Sequence, residues 1–333
     1  MGTGRVGKMT VRWGVLSTAR INAKFLAGCA GSDQVAVVAV ASRDPARARA
    51  YAAEHDIDRA HGSYEALLDD PDVDAVYIPL PNALHIEWAE RALRAGKHVL
   101  CEKPMSRDAA QVAAAFDVAD EQDRVLMEAF MFRHHPQIHR LAALVDEGAV
   151  GPVRLIRASF GFPLTDPADV RLSAELDGGA LMDVGCYCVS AARLLAGEPT
   201  EVTAQLQPGG GGVDVQLVGT LQFAGGELAL FDCSLVSAAR DELEVVGEAG
   251  SLFLDDPWHG RRPVIERRSA DGVQEITIPQ ADPYRLQVEN FAAAVRGEAD
   301  NLLGRADAVS QAATIEALYA AAASGRPEVP AGG

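Results

Sequence analysis

Several things are scarce in this chain, and each scarcity closes off an explanation. Cysteine is one: five among 333 residues, an odd number for a chain this long. That is no disulfide framework, and it points to a reducing compartment, the cytoplasm. Cys186 and Cys188 stand two apart, on different helix faces, without further Cys or His at zinc spacing. No metal site is expected there. Long apolar runs are also missing, since none approaches the ~20 residues that span a bilayer. Met1–Thr10 carries cations but no apolar stretch, so no signal peptide is expected. Positive charge is in deficit: Lys and Arg total 30 against 47 Asp and Glu, a net charge of −17. Nucleic acid and anionic membrane are disfavoured as partners, because both would be repelled. The deficit sets a demand too. A phosphate-bearing ligand needs local cations, which directs attention to Arg20, Arg43 and Lys103.

What remains is an ordinary globular mix, 48% hydrophobic and 23% charged, long enough for one large domain or two ordinary ones. Residues 11–150 alternate between strand and helix patterns. Strands are expected at Val11–Leu16, Val35–Ala41, Val73–Ile78, His98–Cys101 and Val125–Met127. Helices are expected at Ile21–Ala30, Pro45–His55, Asn82–Ala95 and Arg107–Gln122, with Asp44 as an N-cap and Gly96 as a C-cap. Repeated β-helix-β units imply a parallel sheet with right-handed crossovers. Beyond about residue 150 the rhythm changes. After a strand at Val153–Phe162 and a Gly-led helix at Gly178–Ala196, strand patterns follow one another from 200 to 279 with few helices between. That is an α+β arrangement with a mostly antiparallel sheet. Arg285–Arg296 and Arg305–Ala323 read as closing helices, and Gly325–Gly333 as a frayed tail.

A dinucleotide site wants G-x-G-x-x-G/A after the first strand. This chain puts Ser17, Ala19 and Asn22 at those places, within Ser17-Thr18-Ala19-Arg20-Ile21-Asn22. Ser and Ala are small enough for a backbone to approach a pyrophosphate, and the following helix N-terminus offers free N–H groups. The plain alternative is a tight turn with no ligand. At the tip of the second strand stand Ser42 and Arg43 rather than a free acid. A hydroxyl and a guanidinium suit the 2′-phosphate of NADP better than the ribose of NAD.

The run Pro79-Leu80-Pro81-Asn82-Ala83-Leu84-His85, then Gly96-Lys97-His98-Val99-Leu100-Cys101-Glu102-Lys103-Pro104, resembles the glucose–fructose oxidoreductase / inositol dehydrogenase / MocA family (Gfo/Idh/MocA). Met127–Pro136 resembles its segment after the fifth strand, and Gly178–Tyr187 its second-domain helix. The resemblance implies an α/β Rossmann domain, taken as 1–132, and an α+β domain at 133–333 whose open, mostly antiparallel sheet meets substrate on one face. The closing helices pack back on the first domain. A homodimer or homotetramer through that sheet is implied, as is hydride transfer between a nicotinamide and a carbinol carbon of a carbohydrate. Lys103 matches the family's catalytic lysine, and Asp183 and Tyr187 match the acid and the His-or-Tyr of its catalytic helix. NADP contacts are then expected from Ser17, Thr18, Ala19, Arg20, Ile21, Ser42, Arg43, Pro79, Leu80, Asn82, His85, Glu102, Lys103 and Tyr284.

The residues supply a mechanism. A free tyrosine has a pKa of about 10, and a nearby cation lowers it. Lys103 is expected to do this for Tyr187, with Tyr187 as acid/base and Lys103 as electrostatic partner, or the two exchanged. Asp183 lies four residues before Tyr187, so on an α-helix both share a face. Phe132, Arg133 and His134 are candidate substrate contacts. Arg171 either grips a sugar or phosphate oxygen or forms a structural ion pair with Asp169. Two other readings compete with the sugar oxidoreductase: a trans-dihydrodiol dehydrogenase-like enzyme on a non-sugar cyclic diol, and a non-catalytic NADP-sensing module.

Overall fold

A computed structural model describes residues 9–331. Six parallel strands form the first sheet: β1 (Val11–Leu16), β2 (Val35–Ala41), β3 (Arg59–His61), β4 (Ala75–Ile78), β5 (His98–Cys101) and β6 (Leu126–Glu128). Their order is β3-β2-β1-β4-β5-β6. Helices cross between them: α1 (Asn22–Ala30), α2 (Pro45–Glu54), α3 (Tyr64–Leu68), α4 (His85–Arg94) and α5 (Ala109–Glu121). The strand order reverses between β1 and β4, and in such sheets ligands collect outside the carboxyl ends of the strands at that point. β4 is buried along its whole length, as a strand covered on both faces must be. Asp44 caps α2 through the N–H groups of Ala46 and Arg47, at 2.8 and 3.3 Å.

α6 (Pro136–Asp146) leads to β7 (Val153–Gly161), and α7 (Cys186–Ala196) precedes a run of seven strands. These are β8 (Pro199–Pro208), β9 (Asp214–Phe223), β10 (Leu228–Ser234), β11 (Arg240–Gly247), β12 (Gly250–Leu254), β13 (Val264–Ser269) and β14 (Gly272–Thr277). The sheet order is β14-β13-β12-β11-β7-β10-β9-β8, antiparallel except for β10 beside β7. One face of this sheet packs on α7. Two last helices, α8 (Pro283–Val295) and α9 (Arg305–Ser324), return to the first sheet's helices α1 and α5. There the Phe25 and Tyr77 rings stack at 4.0 Å and Trp13 meets Phe291 at 4.7 Å. Each such buried side chain stabilises by about 1.5–3 kcal/mol.

Four expectations are corrected. β3 and α3 are too short for periodicity to reveal. The helix expected at Asn82 begins with a 3₁₀ turn at Asn82–Leu84 and becomes α-helical at His85. The tail expected to fray is pinned up to Glu328, which exchanges two backbone hydrogen bonds with Val202, of 2.8 and 3.0 Å. Finally, one stretch, Ala174–Ala196, is long and apolar enough to cross a membrane. It is mostly buried inside the protein, and its apolarity is that of a core helix.

Candidate active site

The carboxyl ends of β1, β2, β4 and β5 converge on one edge. After β1 the chain turns at Ser17, whose φ of 99° is left-handed backbone that favours glycine. Such a serine costs on the order of 1–3 kcal/mol. Three contacts hold it there. Its N–H donates to Ala41 O (3.0 Å), its hydroxyl to Pro79 O (3.4 Å), and its carbonyl accepts from buried Asn22 Nδ2 (2.9 Å). The serine thus keeps the turn the missing glycine would have made. Among the described residues, the N–H groups of Thr18, Ala19, Arg20 and Ile21 have no hydrogen-bond acceptor, and α1 has no side-chain cap. Unfilled donors at a helix start fit a diphosphate.

At the tip of β2, Ser42 is buried and Arg43 exposed. Asp44 Oδ1 is taken up by the α2 cap, as the sequence led one to expect. Asn82 Nδ2 donates to Asp177 O at 2.8 Å, so this residue joins the two halves of the molecule. Glu102 is fixed by the Tyr77 hydroxyl at 2.5 Å, and burial raises its carboxyl. Tyr284 opens α8 beside α1; burial raises its phenol, and Glu102 and Asp282 add to that.

Lys103 follows Glu102 and crosses to the second half. Its Nζ donates to Asp183 O at 2.6 Å and lies 3.4 Å from Asp183 Oδ1. Burial pulls the ammonium's pKa down, but Asp183, Cys186 and Glu102 outweigh it, and the net direction is up. Asp183 sits on a π-helical turn, Leu181–Gly185, in which the Cys186 N–H reaches back five residues to Leu181 O. Such wider turns are frequent at functional sites. Its start is held by buried Asp214, which accepts the Leu181 N–H (2.7 Å) and the Tyr319 hydroxyl (2.8 Å). The approach requires Gly179, at φ 119°, since a Cβ there would lie 2.2 Å from Asp214 Oδ1.

Tyr187 is a correction. Lys103 Nζ lies over its ring, 4.9 Å from the centroid, and its hydroxyl is 3.6 Å from Met131 Sδ. Burial among aromatic rings pushes the phenol well above its ordinary value instead of lowering it. Phe130, Phe132, Phe160 and Trp258 box it in, with centroids 5.3–5.9 Å away. Phe160 and Trp258 were invisible in sequence, since nothing in β7 or the loop after β12 pairs them with Tyr187.

Other expected contacts prove internal. His85 was expected at the cofactor edge. It is fully buried, with Nδ1 at 2.9 Å from Pro104 O and Nε2 at 2.8 Å from Leu80 O. It joins the two loops, and burial holds its ring down to about 4. Phe132 belongs to the core. Arg133 is buried on Ser190 Oγ and Asp307. His134 is buried, which holds it down to about 3. Arg171 takes the ion-pair alternative: Nε donates to Asp183 Oδ2 at 2.7 Å and Nη1 to Asp169. Glu128, after β6, accepts the Met105 N–H at 2.7 Å. Burial pushes its carboxyl up to about 8.

Residues 11–130 match the model of the oxidoreductase family with an NAD-binding Rossmann fold, and residues 138–253 match the GFO/IDH/MocA C-terminal domain. The chain belongs to the GFO/IDH/MocA family. A D-xylose 1-dehydrogenase (NADP(+)) from Haloferax volcanii is 40% identical over 94% of this chain and 98% of its own length. A Xenopus laevis trans-1,2-dihydrobenzene-1,2-diol dehydrogenase is 36% identical over 74% of this chain and 76% of its own. The crystal structure of KijD10, a 3-ketoreductase from Actinomadura kijaniata in complex with NADP and TDP-benzene, superposes with a TM-score of 0.89. It is 35% identical, and the match covers 94% of this chain and 98% of that one. The chain is thus a GFO/IDH/MocA oxidoreductase with the two-sheet fold that the resemblance implied.

Proposed function

We propose that this chain is an NADP-dependent oxidoreductase that moves hydride between the nicotinamide and a CH–OH or C=O carbon of a carbohydrate. The observation that carries the reading is Lys103 Nζ against Asp183, with the Tyr187 ring beneath it, at the ligand edge of the first sheet. Bound NADPH supplies the hydride. Thr18, Ala19, Arg20 and Ile21 hold the diphosphate with backbone N–H groups. Ser42 and Arg43 take the 2′-phosphate. Pro79, Leu80, Asn82, Glu102 and Tyr284 shape the floor under the nicotinamide.

The reaction needs a proton for the sugar oxygen and a positive charge beside it while the oxygen is negative. Lys103 supplies the charge, since its ammonium is held up by Asp183. Tyr187 supplies the proton, and the two roles are exchangeable. Asp183 orients Lys103 and the substrate hydroxyl. Both groups carry their proton at neutral pH, which loads the site for carbonyl reduction. Alcohol oxidation needs one of them deprotonated, so it should rise toward alkaline pH. We take the division of the chain at 132/133 and the cytoplasm as its compartment. A homo-oligomer is supported by exposed Val218, Leu228 and Leu230 on the sheet face away from α7.

The dihydrodiol reading is favoured by three relatives of that name and tested in the same experiment. NADP with D-xylose, D-glucose and a cyclohexane-1,2-diol, and NADPH with keto-sugars, are followed by nicotinamide absorbance. Turnover on a sugar is expected to exceed turnover on the diol by at least about tenfold. The opposite ranking selects the diol enzyme. NADPH binding without turnover of any alcohol or carbonyl leaves the sensing module.

A further inference from the structure

Asp183 is held from both sides. Lys103 Nζ, anchored on the Asp183 carbonyl at 2.6 Å, lies 3.4 Å from Oδ1, while Oδ2 accepts Arg171 Nε at 2.7 Å. Arg171 is itself held: its Nη1 meets both oxygens of Asp169, at 3.1 and 3.3 Å. The Asp169 side chain is only 4% exposed, and its Oδ1 also accepts the Arg171 N–H at 3.0 Å. The result is a row of alternating charges, Lys103, Asp183, Arg171, Asp169, leading out from the reacting centre. Beyond it Arg20 lies 3.4 Å from Asp169, but its side chain is 92% exposed, so water screens the contact and it adds little to the row.

We infer that Arg171 is a positioning residue: it fixes the Asp183 carboxylate, and through it the place of the Lys103 ammonium. A carboxylate between two cations is oriented by both. Without Arg171, Oδ2 is unpartnered, the group turns about its last torsion, and Asp183 draws Lys103 wholly to itself. The ammonium then leaves the position from which it meets a sugar oxygen. The planar fork of an arginine bonds two carboxylates at once, and a lysine at the same place reaches only one. Asp169 touches neither Lys103 nor Asp183, and acts only by holding the fork.

The inference rests on the proposed role of Lys103, so the test carries Lys103→Met as its control. The probes are D-xylose and cyclohexane-1,2-diol, each with NADP. Arg171→Met is expected to lower kcat by about 10–100-fold, with KM and the Kd for NADPH within about twofold. Arg171→Lys should recover part of the loss, and Asp169→Asn should lose about 3–10-fold in kcat. A rise in KM at unchanged kcat would instead make Arg171 a substrate grip, and unchanged kcat in all three variants also overturns the inference. A readout free of turnover accompanies this: acetic anhydride labelling of Lys103, with buried Lys97 as internal standard. The groups facing Lys103 are Glu102, His85, Asp183, Cys186, Tyr187 and Arg171. Removing the one permanent cation among them lets Asp183 hold the ammonium more firmly, so labelling of Lys103 relative to Lys97 should fall. An unchanged ratio contradicts the inference. If Lys103→Met keeps its turnover, the functional reading fails instead, whatever Arg171 does.

Discussion

The two ends of β5 each carry a lysine, one buried and one half-buried, and they are used in opposite ways. Lys97, before the strand, donates from Nζ to the carbonyls of Asp70 (2.7 Å) and Val73 (2.8 Å). Both lie within the first sheet's own loops, and burial lowers its pKa. Lys103, after the strand, reaches eighty residues along the chain to Asp183, and its net direction is up. The same contrast runs along the sheet. At the amino edge, Arg12 is consumed by Asp72 and Asp74. At the carboxyl edge the donors after Ser17 are open, Arg43 is exposed, and a strained serine holds the turn. One edge closes its polar groups among themselves, and the other leaves them for a ligand.

The contrast can be broken at three places. Lys97→Met removes one ammonium with its two hydrogen bonds and strands two carbonyls, at about 2–3 kcal/mol of stability. Thermal unfolding should register this as a lower Tm, while kcat of the folded enzyme stays within about twofold. A large loss of kcat without loss of Tm would erase the distinction between the edges. Glu128→Gln comes next. The folded carboxyl is raised to about 8 from an ordinary 4.5, so folding takes up a proton. The stability this contributes is full below about 4.5 and is lost as pH rises through 8. Glutamine still accepts from Met105 N–H, so the variant should lose less Tm than the parent between pH 5 and 9. Parallel Tm curves would show that Glu128 is not held neutral. The smallest effect is expected at the β2 tip: Arg43→Ala should weaken NADP about tenfold and leave NAD unchanged, by titration of nicotinamide fluorescence. Equal Kd values for NADP and NAD in the unmutated protein would refute the 2′-phosphate assignment.

Much of the fold was legible because both sheets follow from periodicity. β2, β4 and β5 are apolar runs, and the strands after residue 200 succeed one another without helices. What stayed hidden was short or non-local. Three residues of β3 carry no period. The π turn at Leu181–Gly185 has the composition of an α-helix, so the shared face of Asp183 and Tyr187 was argued from the wrong spacing. The Lys103–Asp183 meeting was readable only through the family resemblance, since no local signal links residues so far apart. His85 was misplaced because a helix-start histidine looks the same whether it faces a ligand or sits buried between two loops. Tyr187 was given a lowered pKa because its aromatic box is assembled from three separate segments.

The central claim is that the carboxyl end of β5 is the reacting end. Lys103→Met tests it most directly, with the Kd for NADPH and the turnover of a sugar measured on the same preparation. The account predicts NADPH binding within a few-fold of the parent and turnover lower by about three orders of magnitude. Turnover near that of the parent would contradict it.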